Sequence, residues 1–249
     1  MSARDDWYAG FFEGLALEMW AAGFSEAESA RDVDFLEDEL ALEPGAHLLD
    51  APCGNGRHVR ELVARGFRVT GIDIAQGFVA PLQREFARSA AATIVHADLR
   101  AAELAGPFDG AFCWGNSFGY LPRADDAAFL RRIGAALRPG ARFALQTSLV
   151  AESAIPNFSE RHWERTGGIF VLMDCAYDAN ESRIDAVYTY LRGGSVEVRP
   201  LSLYVYTLAE LTAVLESAGL RLLDAYASRD REAFELGARE AILIAEKTA

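Results

Sequence analysis

The sequence predicts an α/β protein: a doubly wound, mostly parallel seven-stranded sheet carrying a small inserted antiparallel β layer. Three observations predict it. Leu48-Leu49-Asp50-Ala51-Pro52-Cys53-Gly54-Asn55-Gly56-Arg57 runs an apolar strand into a glycine pair and a helix, and Phe67 to Asp73 is a second strand ending in an acid, the order in which α/β sheets hold a nucleoside. Beyond Pro44-Gly45, strand-like and helix-like runs alternate with short links as far as Ser148, which requires parallel pairing through crossover helices. Residues 150 to 206 then break that rhythm with β-rich runs separated by turn residues. The resulting architecture is Rossmann-like.

The elements follow in order. Trp7 to Ala22 places aromatics at 7, 8, 11 and 12 on one face of a helix, which either packs on the domain or serves as a lid. Ser25 to Leu40 reads as a second helix, because Ser25 and Glu28 have the capping-box form and Val33, Leu36 and Leu40 recur at helical spacing. Residues 1–42 are thus expected as a helical cover. In the core, 43–149 and 207–249, strands are expected at Ala46 to Ala51, Phe67 to Ile72, Thr93 to Ala97, Phe108 to Cys113 and Arg142 to Ser148. Helices are expected at Arg57 to Arg65, Gln76 to Ser89 with Pro81 kinking it or marking its first turn, and Asp125 to Leu137, closed by Arg-Pro-Gly. In 150–206 three antiparallel strands are expected, Ile169 to Tyr177, Ile184 to Leu191 and Val196 to Tyr206, divided at Asp178-Ala-Asn-Glu-Ser and Gly193-Gly194. The chain then returns to the core through a helix from Thr207 to Ala218, ended by Gly219, and strands at Leu220 to Ala225 and Ala241 to Ala245.

Composition narrows the function. A net charge of −13 from 24 basic and 37 acidic residues repels phosphate backbones and anionic membranes, so neither nucleic acid nor membrane is expected as a partner. The absence of a long apolar run or a signal-peptide pattern leads to the expectation of a cytoplasmic location. Cys53, Cys113 and Cys175 and the four histidines are widely spaced, so neither a disulfide framework nor a metal site is expected. The oligomeric state is not written in these residues.

The glycine loop decides the cofactor class. A dinucleotide fingerprint needs a third glycine where this chain has Val59, and Asp50 instead gives the form D-x-x-x-G-x-G, an acid that would repel a pyrophosphate. An ordinary strand-to-helix turn, with Asp73 capping the next helix, would use the same residues. The pattern resembles motif I of the class I S-adenosylmethionine (SAM) dependent methyltransferases. The likeness extends along the chain through Asp6-Trp7-Tyr8-x-x-Phe11-Phe12, Val33-Asp34-Phe35-Leu36, Gly71-Ile72-Asp73, Ser117-Phe118-Gly119-Tyr120, Leu137-Arg138-Pro139-Gly140, Arg161-x-Trp163-Glu164 and Tyr206-Thr207-Leu208-x-Glu210-Leu211. Together these resemble a widespread group of bacterial small-molecule SAM methyltransferases. Pro52, where glycine is frequent, and Trp114-Gly115-Asn116 depart from the pattern.

The resemblance implies that Asp50, Ala51, Cys53, Gly54, Asn55, Gly56 and Arg57 lie under the methionine part of SAM. It further implies that Asp73 with Ile74 holds the ribose, and that Asp98 and Leu99 hold the adenine. Ligands of open α/β sheets bind outside the carboxyl ends of the strands, so the loop after the fourth strand borders the cofactor through Trp114, Asn116 and Phe118, although aromatics there could equally fill the space beneath the next helix. For the small-molecule acceptor, Tyr8, Phe11, Asn116, His162, Trp163 and Tyr204 are the candidates, Tyr204 being explained as well by alternation along a half-buried strand. If a base is used, His162 is the candidate catalytic residue, since it stands at the entrance to an insertion expected to roof the acceptor site. Methyl transfer from a sulfonium asks chiefly for alignment, which supplies roughly 7–11 kcal/mol, against about 3–5 kcal/mol from a general base. The expected activity is therefore in-line methyl transfer, releasing S-adenosylhomocysteine. A SAM-binding protein without transferase activity, a nicotinamide-dependent oxidoreductase on the same fold and an RNA or protein methyltransferase are the alternatives.

Overall fold

The computed structural model describes residues 6–248. The amino-terminal segment is a 3₁₀ turn, Trp7–Gly10, followed by α1 (Gly14–Ala21) and α2 (Glu26–Glu39). The single helix expected over Trp7 to Ala22 is broken because Glu13 is extended and Gly14 adopts a φ of +54°. The break is fixed from far away: the Glu197 carboxylate accepts the Leu15 N–H at 3.2 Å, and a Cβ on Gly14 would lie 2.5 Å from that carboxylate. α2 begins with the expected capping box, the Ser25 side chain accepting from Glu28 N–H while Glu28 accepts from Ser25 N–H.

The core alternates as predicted: β1 (His47–Asp50), α3 (Arg57–Ala64), β2 (Arg68–Asp73), α4 (Gln76–Glu85), β3 (Ala92–His96), β4 (Phe108–Cys113), α5 (Arg123–Ala136) and β5 (Leu137–Thr147). β5 starts earlier than expected. Its first residue pairs with Phe108, and a register shift through the Arg-Pro-Gly segment lets Arg142 pair with Gly110. Pro81 lies inside α4, removing one backbone donor without ending the helix. A short α6 (Ala151–Ala154) precedes β6 (Arg161–Thr166), β7 (Ile169–Asp178), β8 (Arg183–Arg192) and β9 (Ser195–Tyr204), and the chain closes with α7 (Leu208–Ser217), β10 (Leu220–Tyr226) and β11 (Ala241–Lys247). The insertion thus has four strands where the sequence predicted three. β6 was missed because Arg161-His-Trp-Glu-Arg-Thr is exposed along almost its whole length and offers no apolar alternation.

The seven-stranded sheet has the order β10-β11-β5-β4-β1-β2-β3, parallel except that β11 runs antiparallel between β5 and β10. β1 lies between β4 and β2, and its Leu48 and Leu49 are fully buried on opposite faces of the sheet; each such leucine stabilises the fold by about 1.5–3 kcal/mol. The separate antiparallel sheet has the order β6-β7-β8-β9. On β7, Ile169, Val171 and Met173 are buried with Phe11, Leu15 and Met19 of the amino-terminal segment, while Phe170 and Leu172 face outward. The insertion therefore packs against the cover. Among the described residues no helix is long and apolar enough to cross a membrane, and no group of His, Cys, Asp and Glu side chains forms a metal-ligand set.

Candidate active site

A cavity of about 1050 Å³, counting the space open at its mouth, crosses the carboxyl ends of the parallel strands. The sheet order places its walls: Leu99 after β3, Asp73 and Ile74 at the end of β2, Pro52 to Asn55 after β1, and Trp114, Gly115, Ser117, Phe118, Tyr120 and Leu121 after β4. Tyr8, Phe12, Trp20 and Phe24 of the cover close it from above, and Phe78, Asp126 and Phe129 complete it.

The loop after β1 is shaped by two glycines used differently. Gly56 has a φ of +75° and packs so closely on Leu82 that a Cβ would lie 2.4 Å from it, so this glycine joins α3 to α4 and does not line the cavity. Gly54 has a φ of +52°, and a Cβ there would meet nothing within 4 Å. Its bare backbone faces the cavity, where a ligand can approach closely. The loop is tied to β2 by Asp73, whose carboxylate accepts Gly54 N–H at 2.8 Å and Ala75 N–H at 2.7 Å. Asp73 thus both braces the start of α4 and lines the cavity. Burial raises its pKa despite those bonds. Asp50 is completely buried behind the loop, with neither carboxylate oxygen hydrogen-bonded, and burial pushes its pKa well up. An orphaned buried carboxyl of this kind suits a cationic group brought close by a ligand. Ala51, equally buried, contributes packing alone.

A charged cluster stands at the β1–β4 end. Asp32 of α2, only 4 % exposed, accepts from Arg57 at 2.5 Å, from Arg229 at 2.5 Å and lies 3.2 Å from His58 Nε2. Burial alone would raise the Asp32 carboxyl, but the hydrogen bonds and positive charges of His58 and Arg57 bring it down to about 2. Burial takes His58 down to about 4, so it is neutral at pH 7. The Arg57 guanidinium lies 4.2 Å over the Phe24 ring. At the other side of the cavity, Asp126 accepts the Tyr206 hydroxyl at 2.8 Å, and burial pushes its carboxyl up to about 8. The Tyr8 hydroxyl is buried without a hydrogen-bond partner, and its pKa is pushed up to about 12 by burial and then by Asp98.

Several residues proposed from the sequence sit elsewhere. Asp98 does not line the cavity, because its carboxylate is engaged by the Arg100 guanidinium at 2.6 and 2.9 Å and by Arg100 N–H at 2.8 Å. Asn116 turns its Oδ1 to Ser148 N–H at 2.7 Å and to the Ser148 hydroxyl, fastening the loop to the end of β5. His162 and Trp163 lie exposed on the edge strand β6, Trp163 at 62 %. Phe11 is buried against the insertion sheet, and Tyr204 packs at the core's edge with Arg183 over its ring. No residue of 150–206 lines the cavity, since the cover stands between. His58 and Asp32 were missed. His58 follows Arg57 directly in the loop's helix and carried a local signal, whereas Asp32 looks like one acid among many on α2.

Residues 48–140 match a family model described as a methyltransferase domain. The matched segment, about a third of the chain, runs from the second residue of β1 through α5 and contains every cavity-lining residue outside the cover. No curated protein matches the sequence. Among solved structures, the CcbJ methyltransferase from Streptomyces caelestis is similar at 19% identity and a TM-score of 0.80, covering 99% of this chain and 100% of that one. A SAM-bound amino pentose methyltransferase from Micromonospora echinaspora, involved in calicheamicin biosynthesis, is 21% identical with a TM-score of 0.69, covering 95% and 98%. A 1,6-didemethyltoxoflavin-N1-methyltransferase from Burkholderia thailandensis, with its acceptor and S-adenosylhomocysteine bound, is 20% identical with a TM-score of 0.58, covering 100% and 92%. At these identities the likeness shows the fold alone, along nearly the whole chain.

Proposed function

We propose that the chain transfers the methyl group of SAM to a small-molecule acceptor by in-line displacement. The observation that carries this reading is the cavity across the tips of β3, β2, β1 and β4 inside a methyltransferase domain, with bare backbone at Gly54 and buried carboxyls at Asp50 and Asp73. SAM supplies an activated methyl on a sulfonium. Asp73 would accept from the ribose hydroxyls, Ile74 and Leu99 would flank the base, and the loop from Cys53 to Asn55 would pass under the sulfur. Asp98, with its carboxylate on Arg100, would reach the base only from the edge of the cavity.

The chain's own contribution is alignment and exclusion of water. The cover closes the cavity with four aromatic side chains, and the insertion sheet holds the cover from behind through Phe11, Leu15 and the Glu197 contact with α1. The insertion serves the acceptor site indirectly, as support for the lid. Aromatic walls and a single cationic side chain, Arg57, among the lining residues favour a small, largely apolar acceptor whose nucleophile arrives uncharged. The acidic charge of −13 supports a small molecule over a nucleic acid, and the location we propose is the cytoplasm.

Isothermal titration with S-adenosylhomocysteine tests the cofactor, and turnover of methyl-labelled SAM against a panel of small amines and phenols tests the transfer. Micromolar binding with methyl incorporation is expected. Failure to bind at millimolar concentration refutes the reading, and tight NADH binding in its place would assign the cavity to a nicotinamide cofactor.

A further inference from the structure

We propose that Asp32, on α2, is a positioning residue for the carboxylate at the amino-acid end of the cofactor, acting through Arg57. The inference rests on the methyltransferase reading and goes beyond it. The strand order says where that end would lie: with the nucleoside at β3 and β2, the amino-acid tail would point past Gly54 and Asn55 to the β1–β4 side, where Arg57, His58, Trp114 and Phe24 line the cavity.

Arg57 is the one lining residue there with a full positive charge, His58 being neutral. Of its guanidinium, Nη1 is bound to Asp32 Oδ2 at 2.5 Å, while Nε and Nη2 make no hydrogen bond among the described residues. The Phe24 ring against one face fixes the guanidinium plane. A planar donor held at one corner, with its remaining N–H groups unengaged and lining a cavity, is matched to a carboxylate.

Asp32 holds Arg57 through Oδ2 and Arg229 through Oδ1. The Arg57 guanidinium thus stands at the cavity wall on an anchor that is nearly completely buried and little screened by solvent. Asp32 also accepts from His58, so the α2 carboxylate orders both consecutive residues at the start of α3. A residue that only filled the core would not aim a guanidinium at the cavity.

The test compares two ligands by calorimetry. S-adenosylhomocysteine has the amino-acid tail; 5′-methylthioadenosine keeps the nucleoside and lacks the tail. Asp32→Asn and Arg57→Gln are each expected to weaken S-adenosylhomocysteine about tenfold or more, the worth of a charge-assisted hydrogen bond, and to leave 5′-methylthioadenosine within about twofold of the wild type. Equal losses for both ligands, or no loss for S-adenosylhomocysteine in a folded variant, overturn the proposal. If Asp32→Asn fails to fold, Arg229→Gln replaces it: freed of one cation, Asp32 keeps its hold on Arg57, and the same ligand ratio as the wild type is expected, a tail-specific loss overturning the division of roles. A wild-type protein that binds neither nucleoside refutes the methyltransferase reading itself.

Discussion

Asp73→Asn separates the two duties of that carboxylate. In the wild type its two oxygens accept Gly54 N–H and Ala75 N–H at 2.8 and 2.7 Å, and the residue is 6% exposed. The amide offers one acceptor oxygen, so one of these backbone donors is left facing an NH₂ group, at a cost of about 1–3 kcal/mol. For a chain of this length that corresponds to a fall in Tm of roughly 2–12 °C. The ligand-bound state loses more, because a hydroxyl bonded to a carboxylate is worth about 1.5–3 kcal/mol, or roughly 10- to 100-fold in Kd. Differential scanning calorimetry measures the first quantity and titration with S-adenosylhomocysteine the second. A folded Asn variant that binds the nucleoside as tightly as the wild type would refute the placement of the ribose at Asp73.

Three further outcomes are expected. Gly119→Ala should lower Tm by about 4 °C or more, since the residue has a φ of +87° and a Cβ would lie 2.6 Å from the Tyr204 carbonyl oxygen, a left-handed backbone alone costing about 1–2 kcal/mol; an unchanged Tm would contradict this loop geometry. Asp126 has a folded pKa raised by burial from 3.8 to about 8, so its contribution to stability is full below pH 4 and is lost as pH rises through 8. Asp126→Asn removes that titration, and the Tm difference between variant and wild type should shift in the variant's favour from pH 5 to pH 8.5; a constant difference sinks the assignment. His162→Ala should leave turnover unchanged, because the side chain is exposed on β6, away from the cavity; a large drop in kcat would return it to the active site.

What was legible in the sequence was local. Asp50, Gly54, Gly56 and Asp73 announce the loop because a positive φ and a strand-terminal acid are demanded by neighbours within the same unit. The capping box of α2 was visible for the same reason. What was hidden depends on partners distant in sequence. Asp98 looks free to bind a ligand until Arg100 takes it, Asn116 looks like a cavity residue until Ser148 claims its oxygen, and the break at Gly14 follows from a carboxylate 182 residues away from Leu15. Asp32 is an acid on a charged helix, and nothing nearby in the chain signals that Arg229 will meet it. The antiparallel entry of β11 is equally silent, since Ala241 to Ala245 reads the same in either direction.

The Glu197 contact with α1 also orders events during synthesis. The cover is made before the insertion, and so lacks the acceptor for its Leu15 N–H, and the buried neighbours of Phe11, until β7, β8 and β9 have emerged. With domains forming as the chain lengthens, the parallel strands can assemble while their mouth still stands open to water. The cover thus settles only after strands made much later than itself, and the closed chamber is a late product of translation.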